Sequence, residues 1–215
     1  MNKEQVLTRI CATGLVAVVR AESSDQAKRI TEACIAGGVT AIEMTFTVPR
    51  AHEIISDLAK AYSEDEIILG AGTVLDAETA RIALLSGAQY IVAPCLNLET
   101  VKLCHRYRVP VMPGAMTIKE VVECMEAGAD IVKVFPGDMS GPDFIKAIKG
   151  PLPHAHVMPT GGVSVTNVQQ WIKAGCVAVG AGGSLTAGAK TGDYASITTV
   201  AKQFIEQIKL ARASK

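Results

Sequence analysis

Two charged residues stand inside stretches of sequence that are otherwise apolar. Lys133 lies in the run DIVKVFP, and Glu43 lies in the run TAIEMT. If both runs are strands, their two-residue period places Lys133 on one face with Ile131 and Phe135, and places Glu43 on one face with Thr45. Burial disfavours an ammonium ion, so Lys133 is expected as the neutral amine that attacks a carbonyl carbon. The two residues predict Schiff-base chemistry, with Lys133 as the nucleophile and Glu43 as the group that moves protons.

Both residues also have a purely structural interpretation. A lysine in a strand often extends its ammonium group to solvent at the rim of the fold. A buried glutamate often forms a structural ion pair with a lysine or an arginine. An ion pair would not exclude catalysis by Glu43, and the apolar neighbours of Lys133 argue against a position at the rim.

Other polar residues lie where further apolar runs end. Arg20 ends the run LVAVVR, and its planar guanidinium suits a carboxylate held by two hydrogen bonds. The alternative for Arg20 is a surface ion pair with Glu22 or Asp25. Thr73 and Thr160 end two more runs, where a hydroxyl can orient a substrate or cap the next helix.

Two glycine clusters follow the last two apolar runs, in the segments TGGV and GAGGS. Glycines at such positions let backbone N–H groups approach a phosphate closely. A role in tight turns is the competing interpretation. We predict a phosphate site formed by Gly161, Gly162, Gly182, Gly183 and Ser184.

The elements that must position these residues are eight apolar runs separated by helical patterns. The runs begin near residues 15, 40, 66, 89, 109, 130, 156 and 177. Several helical patterns begin with a capping residue, as in Thr117 with Glu120. Parallel strands covered by helices explain the apolar runs. We therefore predict an α/β fold, a (β/α)8 TIM barrel with an extra N-terminal helix near 2–13 and a C-terminal helix near 193–212. An open doubly wound sheet is the alternative.

Composition limits the partners of the protein. The chain has 215 residues, with 21 Lys plus Arg against 21 Asp plus Glu, and it shows no linker, so one domain over 1–215 is expected. A net charge of zero gives no footprint for nucleic acid or for an anionic membrane. The sequence has neither a membrane-spanning run nor a secretory signal pattern, which predicts a cytoplasmic protein. Its six cysteines contain no CxxC pair, and no metal site or cofactor is expected.

Taken together, these motifs resemble the class I 2-keto-3-deoxy-6-phosphogluconate (KDPG) and 2-keto-4-hydroxyglutarate (KHG) aldolases. The resemblance covers nearly the whole chain and rests on AGGVTAIEMTFTVPRA, GAGTVLDAE, IVAP, MPGAMT, DIVKVFPGD, PTGGV and VGAGGSL. It implies a homotrimeric, metal-free TIM barrel without a cofactor. The implied reaction is cleavage of KDPG to pyruvate and D-glyceraldehyde 3-phosphate, and also of 4-hydroxy-2-oxoglutarate.

The resemblance also implies residue roles. Lys133 looks like the Schiff-base lysine and Glu43 like the general acid–base. Phe135 would pack beside the imine, and Thr73, Thr160 and Pro94 of the IVAP motif would contact the substrate. The glycine clusters with Ser184 would surround its phosphate.

One departure from the family pattern concerns the pyruvate carboxylate. Some members bind it with an arginine four residues after the catalytic glutamate, where this chain has Thr47. Arg20, which ends a VVR motif found in other members, is the predicted replacement, and Arg50 is the reserve candidate. The alternatives are an aldolase for the galactonate-derived epimer of KDPG, a metal-dependent aldolase or epimerase barrel, and a noncatalytic barrel that binds phosphorylated metabolites.

Overall fold

Short strands alternate with helices along the chain, of which the structure, a computed structural model, describes Met1–Ser214. The strands are β1 (Leu15–Val19), β2 (Ala41–Thr45), β3 (Ile68–Gly72), β4 (Tyr90–Val92), β5 (Val111–Met112), β6 (Gly114–Ala115), β7 (Val132–Val134), β8 (Val157–Pro159) and β9 (Val179–Ala181). The helices are α1 (Lys3–Thr13), α2 (Ser24–Ala36), α3 (Ala51–Ala61), α4 (Ala77–Leu85), α5 (Leu98–Arg106), α6 (Ile118–Glu126), α7 (Gly137–Lys149), α8 (Val168–Ala174), α9 (Gly183–Thr186) and α10 (Tyr194–Ala213), with a 3-10 turn at Ala187–Lys190. The predicted domain extends to Lys215, which lies outside the described residues.

The strands form a closed parallel barrel. One set of paired strands has the order β5-β4-β3-β2-β1-β9, and the other has the order β6-β7-β8. Only Pro113 separates β5 from β6, and its carbonyl accepts a hydrogen bond from Lys133 N at 2.9 Å, so the two segments act as one interrupted barrel strand. A bridge between Thr160 and Gly180 joins β8 to β9. The predicted (β/α)8 barrel is confirmed, and the open doubly wound sheet is wrong.

The apolar residues form two layers, one inside the barrel and one between the strands and the helices. Inside the barrel, Val16 of β1, Ile68 of β3 and Ile131, which precedes β7, pack against Val6 and Ile10 of α1. Helix α1 therefore covers the opening at the strand N-termini. The opposite end, where the strands finish, is left for the site, as is general for this architecture.

Local signals explain where several helices begin and end. An Asn2–Gln5 capping box starts α1, and Gly14 ends it with φ 75°. The predicted cap of Thr117 with Glu120 is present at the start of α6. These caps satisfy backbone groups at the helix ends and fix where each helix begins or ends.

Helices α3 and α7 lie in segments whose sequence carries no clear helix-start signal. Arg50 precedes α3 with φ 59°, and it makes no side-chain capping bond. Gly141 interrupts α7 with φ 68°, directly before Pro142. Weak or interrupted start signals therefore made both helices hard to predict, although a (β/α)8 barrel requires a connection after each strand.

No helix within residues 1–214 has the length and apolar character needed to cross a membrane.

Candidate active site

Lys133 and Glu43 lie in the barrel interior, on β7 and β2. The exposed fraction is 5% for Lys133 and 0% for Glu43. Lys133 Nζ lies 5.0 Å from the centre of the Phe135 ring. Val132 and Val134 belong to the outer apolar layer, so the two-residue period holds in β7. The interpretation of Lys133 as a solvent-exposed rim lysine is therefore wrong.

Two glycines of β3 make room for polar side chains inside the barrel. A Cβ atom added to Gly72 would overlap the Glu43 carboxyl group, and one added to Gly70 would overlap the ring of Tyr90. In the strand register Glu43 pairs with Gly70, and Gly70 pairs with Tyr90. Because any larger residue would fill this space, β3 determines where both side chains lie.

The electrostatic environment of Glu43 suits proton transfer. Complete burial raises the pKa of Glu43, while the positive charges of Lys133 and Arg20 act against this rise. Neither carboxyl oxygen has a hydrogen-bond partner among residues 1–214, and no ion pair to Glu43 forms within them. The carboxyl group is thus prepared to hold a proton at a higher pH than an exposed glutamate does.

Glu43→Gln should change how folding stability depends on pH. A carboxyl pKa raised in the folded state gives stability that is present below the ordinary value of 4.5 and is lost as pH rises through the folded value. We expect the free energy of unfolding of Glu43→Gln, relative to the unchanged protein, to be larger at pH 8 than at pH 4. The gain is about 1.4 kcal/mol for each unit by which the pKa is raised.

Urea denaturation at both pH values measures this difference. Glu53→Gln is the matched control, because a hydrogen bond from Arg50 lowers the pKa of the exposed Glu53 carboxylate. The sign for Glu53→Gln is therefore opposite, and any change is small because the group is exposed to solvent. Equal stability differences for Glu43→Gln at pH 4 and pH 8 would contradict the raised pKa.

A cavity of about 330 Å³ opens at the end of the barrel where the strands finish. The predicted site residues that line it follow β1, β7, β8 and β9. They are Arg20, Phe135, Thr160, Gly161, Gly162, Gly182, Gly183 and Ser184. The Arg20 guanidinium group therefore lies among several backbone amides. The structure therefore brings the predicted phosphate-site residues together with Arg20 and Phe135.

The loops after β8 and β9 are fixed against each other. Gly161 and Gly162 have φ 94° and 67°, backbone conformations that side chains with a Cβ rarely adopt. Ser184 Oγ donates a hydrogen bond to Val163 O at 2.6 Å. Its hydroxyl proton is thus engaged, while the N–H groups of Gly183 and Ser184, in the first turn of α9, have no acceptor within that helix.

The structure distinguishes between the two candidate arginines. Arg20 lines the cavity and also a neighbouring one of about 590 Å³ that includes Thr47. The alternative ion pair of Arg20 with Glu22 or Asp25 is not present in the described chain. Arg50 is 76% exposed and pairs with Glu53 at 2.5 Å. Arg50 lines neither of these cavities, so the structure favours Arg20 over Arg50 for the carboxylate.

Two further predicted residues lie at strand ends without lining the cavity. Thr73 follows Gly72 with φ 58° and is half-buried. Pro94 is also half-buried, and its carbonyl lies against Gly114. Sequence analysis did not single out Tyr90, whose pKa is raised by burial and by the neighbouring Glu43 carboxylate. The available signal was a large polar side chain in a strand beside a strand that contains two glycines.

Comparisons with known proteins agree with this arrangement. The family model for KDPG and KHG aldolases matches residues 6–200. The 2-dehydro-3-deoxy-6-phosphogalactonate aldolase of Escherichia coli K12 is 37% identical over 172 residues, which cover 80% of this chain and 83% of that protein. The KHG/KDPG aldolase of the same organism is 32% identical over 213 residues and 97% of each chain. A solved native KDPGal structure is 33% identical, with a TM-score of 0.84 over 93% of this chain and 96% of that one.

The match to the family model and the relatives extends over most of the chain and over the strands that carry Lys133 and Glu43. The alternative of a noncatalytic binding barrel is therefore set aside. The chain belongs to the KDPG and KHG aldolase family and is a class I aldolase, a carbon–carbon lyase.

Proposed function

We propose that the protein cleaves KDPG to pyruvate and D-glyceraldehyde 3-phosphate, and also cleaves 4-hydroxy-2-oxoglutarate, through a Schiff base on Lys133. The observation that carries this proposal is the burial of Lys133 and Glu43 together inside the barrel, next to a cavity lined by glycine loops. A buried amine beside a buried carboxyl supports imine chemistry. The glycine loops support recognition of a phosphate.

The first half of the reaction activates the ketone. Lys133 gives a proton to the Glu43 carboxylate, its free amine attacks C2 of the substrate, and Glu43 delivers the proton to the ketone oxygen. Loss of water from the resulting carbinolamine gives a protonated imine. Its positively charged nitrogen attracts electrons from C3, which prepares the C3–C4 bond for cleavage.

The second half breaks the carbon skeleton. The Glu43 carboxylate accepts the proton of the C4 hydroxyl, the C3–C4 bond breaks, and its electron pair moves through C2 to the imine nitrogen. The aldehyde leaves, and an enamine remains on Lys133. Glu43 returns a proton to C3, and hydrolysis of the imine releases pyruvate and the free amine.

The remaining site residues hold the substrate. We assign the pyruvate carboxylate to Arg20 and the phosphate to the amides of Gly161, Gly162, Gly182, Gly183 and Ser184. Phe135 packs beside the imine, since its ring lies near Lys133 Nζ. Thr160 Oγ1 is buried without a partner in the described chain, which supports a hydrogen bond to substrate. Thr73 and Pro94 complete the substrate contacts.

The proposed assembly is a homotrimer, and sedimentation velocity measures the number of subunits.

Arg20→Met should weaken substrate binding. Loss of a hydrogen bond between charged groups costs about 1.5–3 kcal/mol, so kcat/KM should fall about tenfold to a hundredfold. Steady-state kinetics with KDPG measure the effect, and trapping of pyruvate below saturation should slow in parallel. Arg50→Met is the control and should behave as the unchanged protein, because Arg50 points to the outer surface. Unchanged kinetics in Arg20→Met would remove Arg20 from the carboxylate site.

The galactonate-derived epimer of KDPG is the second candidate substrate. It is favoured by the 37% identity to the 2-dehydro-3-deoxy-6-phosphogalactonate aldolase. The two compounds differ only at C4, the carbon whose hydroxyl Glu43 deprotonates in the proposed mechanism. Values of kcat/KM for both epimers, measured by pyruvate release, decide between them. A higher value for KDPG supports the primary proposal, and a higher value for its epimer replaces it.

A further inference from the structure

Tyr90 has no role in the steps above, yet it lies in the same layer of the barrel as Glu43. Glu43 pairs with Gly70 and Gly70 pairs with Tyr90, so the three residues form one row across β2, β3 and β4. Partners in neighbouring parallel strands project to the same side of the sheet. Because Gly70 has no side chain, no side chain of that row stands between Tyr90 and Glu43.

The ring of Tyr90 extends along this row toward β2. A Cβ atom on Gly70 would overlap Tyr90 Cζ, Cε1 and Cε2, which form the end of the ring that carries the hydroxyl. The Glu43 carboxyl group lies over Gly72, the next inward position of β3. The end of the Tyr90 ring and the Glu43 carboxyl group therefore lie over consecutive inward positions of β3.

Both groups are buried and lack partners. Tyr90 Oη and the two carboxyl oxygens of Glu43 accept or donate no hydrogen bond among residues 1–214. Buried polar atoms are nearly always hydrogen-bonded to protein or to an ordered water. Tyr90 keeps its proton, since burial and the Glu43 charge both raise its pKa. A permanent donor on β4 thus lies across the single intervening strand β3 from a buried carboxylate on β2 that lacks a donor.

We propose that Tyr90 is a positioning residue for Glu43: its hydroxyl donates a hydrogen bond to one bridging water, and this water holds the carboxylate while it accepts the C4 hydroxyl proton. This inference rests on the proposed role of Glu43 as the base. The charged and titratable groups that act on Glu43 are Lys133 from β7, Arg20 after β1, and Tyr90 from β4. Lys133 becomes bonded to substrate, and Arg20 is assigned to its carboxylate, so Tyr90 is the donor that remains throughout the cycle.

Tyr90→Phe tests the inference, because it removes the hydroxyl and keeps the ring over Gly70. Single-turnover cleavage of KDPG is measured against pH in the full-length protein. Loss of the hydrogen bond to a carboxylate should shift the acid limb of the profile upward by about one pH unit and lower the cleavage rate about tenfold near the limb. Tyr62→Phe is the control, since the Tyr62 hydroxyl contacts Lys28 O at 3.4 Å, outside the barrel.

Two further measurements separate positioning from a structural role. The final yield of the pyruvate adduct that borohydride traps on Lys133 should remain near normal in Tyr90→Phe, which shows an intact barrel. Adding Tyr90→Phe to Glu43→Gln should cause no further loss of rate, because Tyr90 acts through Glu43. An unshifted acid limb in Tyr90→Phe, with Glu43→Gln impaired, would overturn this inference alone. Full activity of Glu43→Gln would instead overturn the assignment of the base.

Discussion

Lys133→Ala should abolish turnover of every substrate of the enzyme. The variant has no amine at this position, so it can form neither the imine nor the enamine, and no other lysine among residues 1–214 is buried. We expect a residual rate below about one ten-thousandth of the normal rate, in line with the loss of covalent nucleophiles in other enzymes. Pyruvate release from KDPG, followed continuously, measures this rate.

Trapping of the Schiff base tests the assignment of Lys133 as the nucleophile without a measurement of turnover. The protein is incubated with pyruvate and reduced with borohydride, and the modified peptide is mapped by mass spectrometry. A pyruvate-derived adduct should appear on Lys133 and should be absent from Lys133→Ala. Lys146→Ala is the control, because Lys146 is an exposed residue of α7 that pairs with Asp143 at 2.8 Å. An adduct mapped to another lysine, or substantial activity in Lys133→Ala, would refute the assignment of the nucleophile.

Glu43→Gln should slow cleavage by about a hundredfold to ten-thousandfold, the usual contribution of a general acid–base. Glutamine has nearly the same shape and fits over Gly72, but its amide cannot accept the C4 hydroxyl proton. Imine formation with pyruvate should continue at a lower rate, because Lys133 is still present. The variant therefore separates proton transfer from formation of the covalent intermediate.

Comparing kcat with trapping gives the decisive result for Glu43. We expect a large loss of kcat together with a Lys133 adduct of full final yield that forms more slowly. Glu53→Gln, which removes an exposed carboxylate of α3, should match the unchanged protein in both measurements. Normal kcat in Glu43→Gln would assign the proton transfers to another group. Complete loss of the adduct would mean that Glu43 is required for imine formation as well.

The two variants also test how the buried residues depend on each other. Lys133 and Arg20 both oppose the rise in the pKa of Glu43, so the carboxyl group titrates as part of a coupled site. Removal of Lys133 takes away one of these positive charges, so the pKa of Glu43 should rise further. The pH dependence of each step should therefore be read from the site as a whole.

Local patterns in the sequence were enough to predict the barrel and its two central residues. The two-residue period in DIVKVFP placed Lys133 on one face of its strand with Ile131 and Phe135, and the same period placed Glu43 on one face of another strand with Thr45. The glycine clusters after the last two strands predicted the loops that line the cavity. These features could be read from sequence because strand period, caps and turn glycines depend on residues that are close together in the chain.

Other features depend on which residues meet across strands, and only the tertiary structure decided them. Sequence motifs favoured Arg20 over Arg50, but only the structure shows that Arg20 lines the cavity and that Arg50 is exposed beside Glu53. The row of Glu43, Gly70 and Tyr90 joins residues that are far apart in the chain through strand register. Register follows from the packing of the whole barrel and from no single segment. The Schiff-base chemistry of Lys133 and Glu43 could therefore be predicted from the sequence. The residues that surround this pair and shift the pKa of Glu43 were determined by long-range packing.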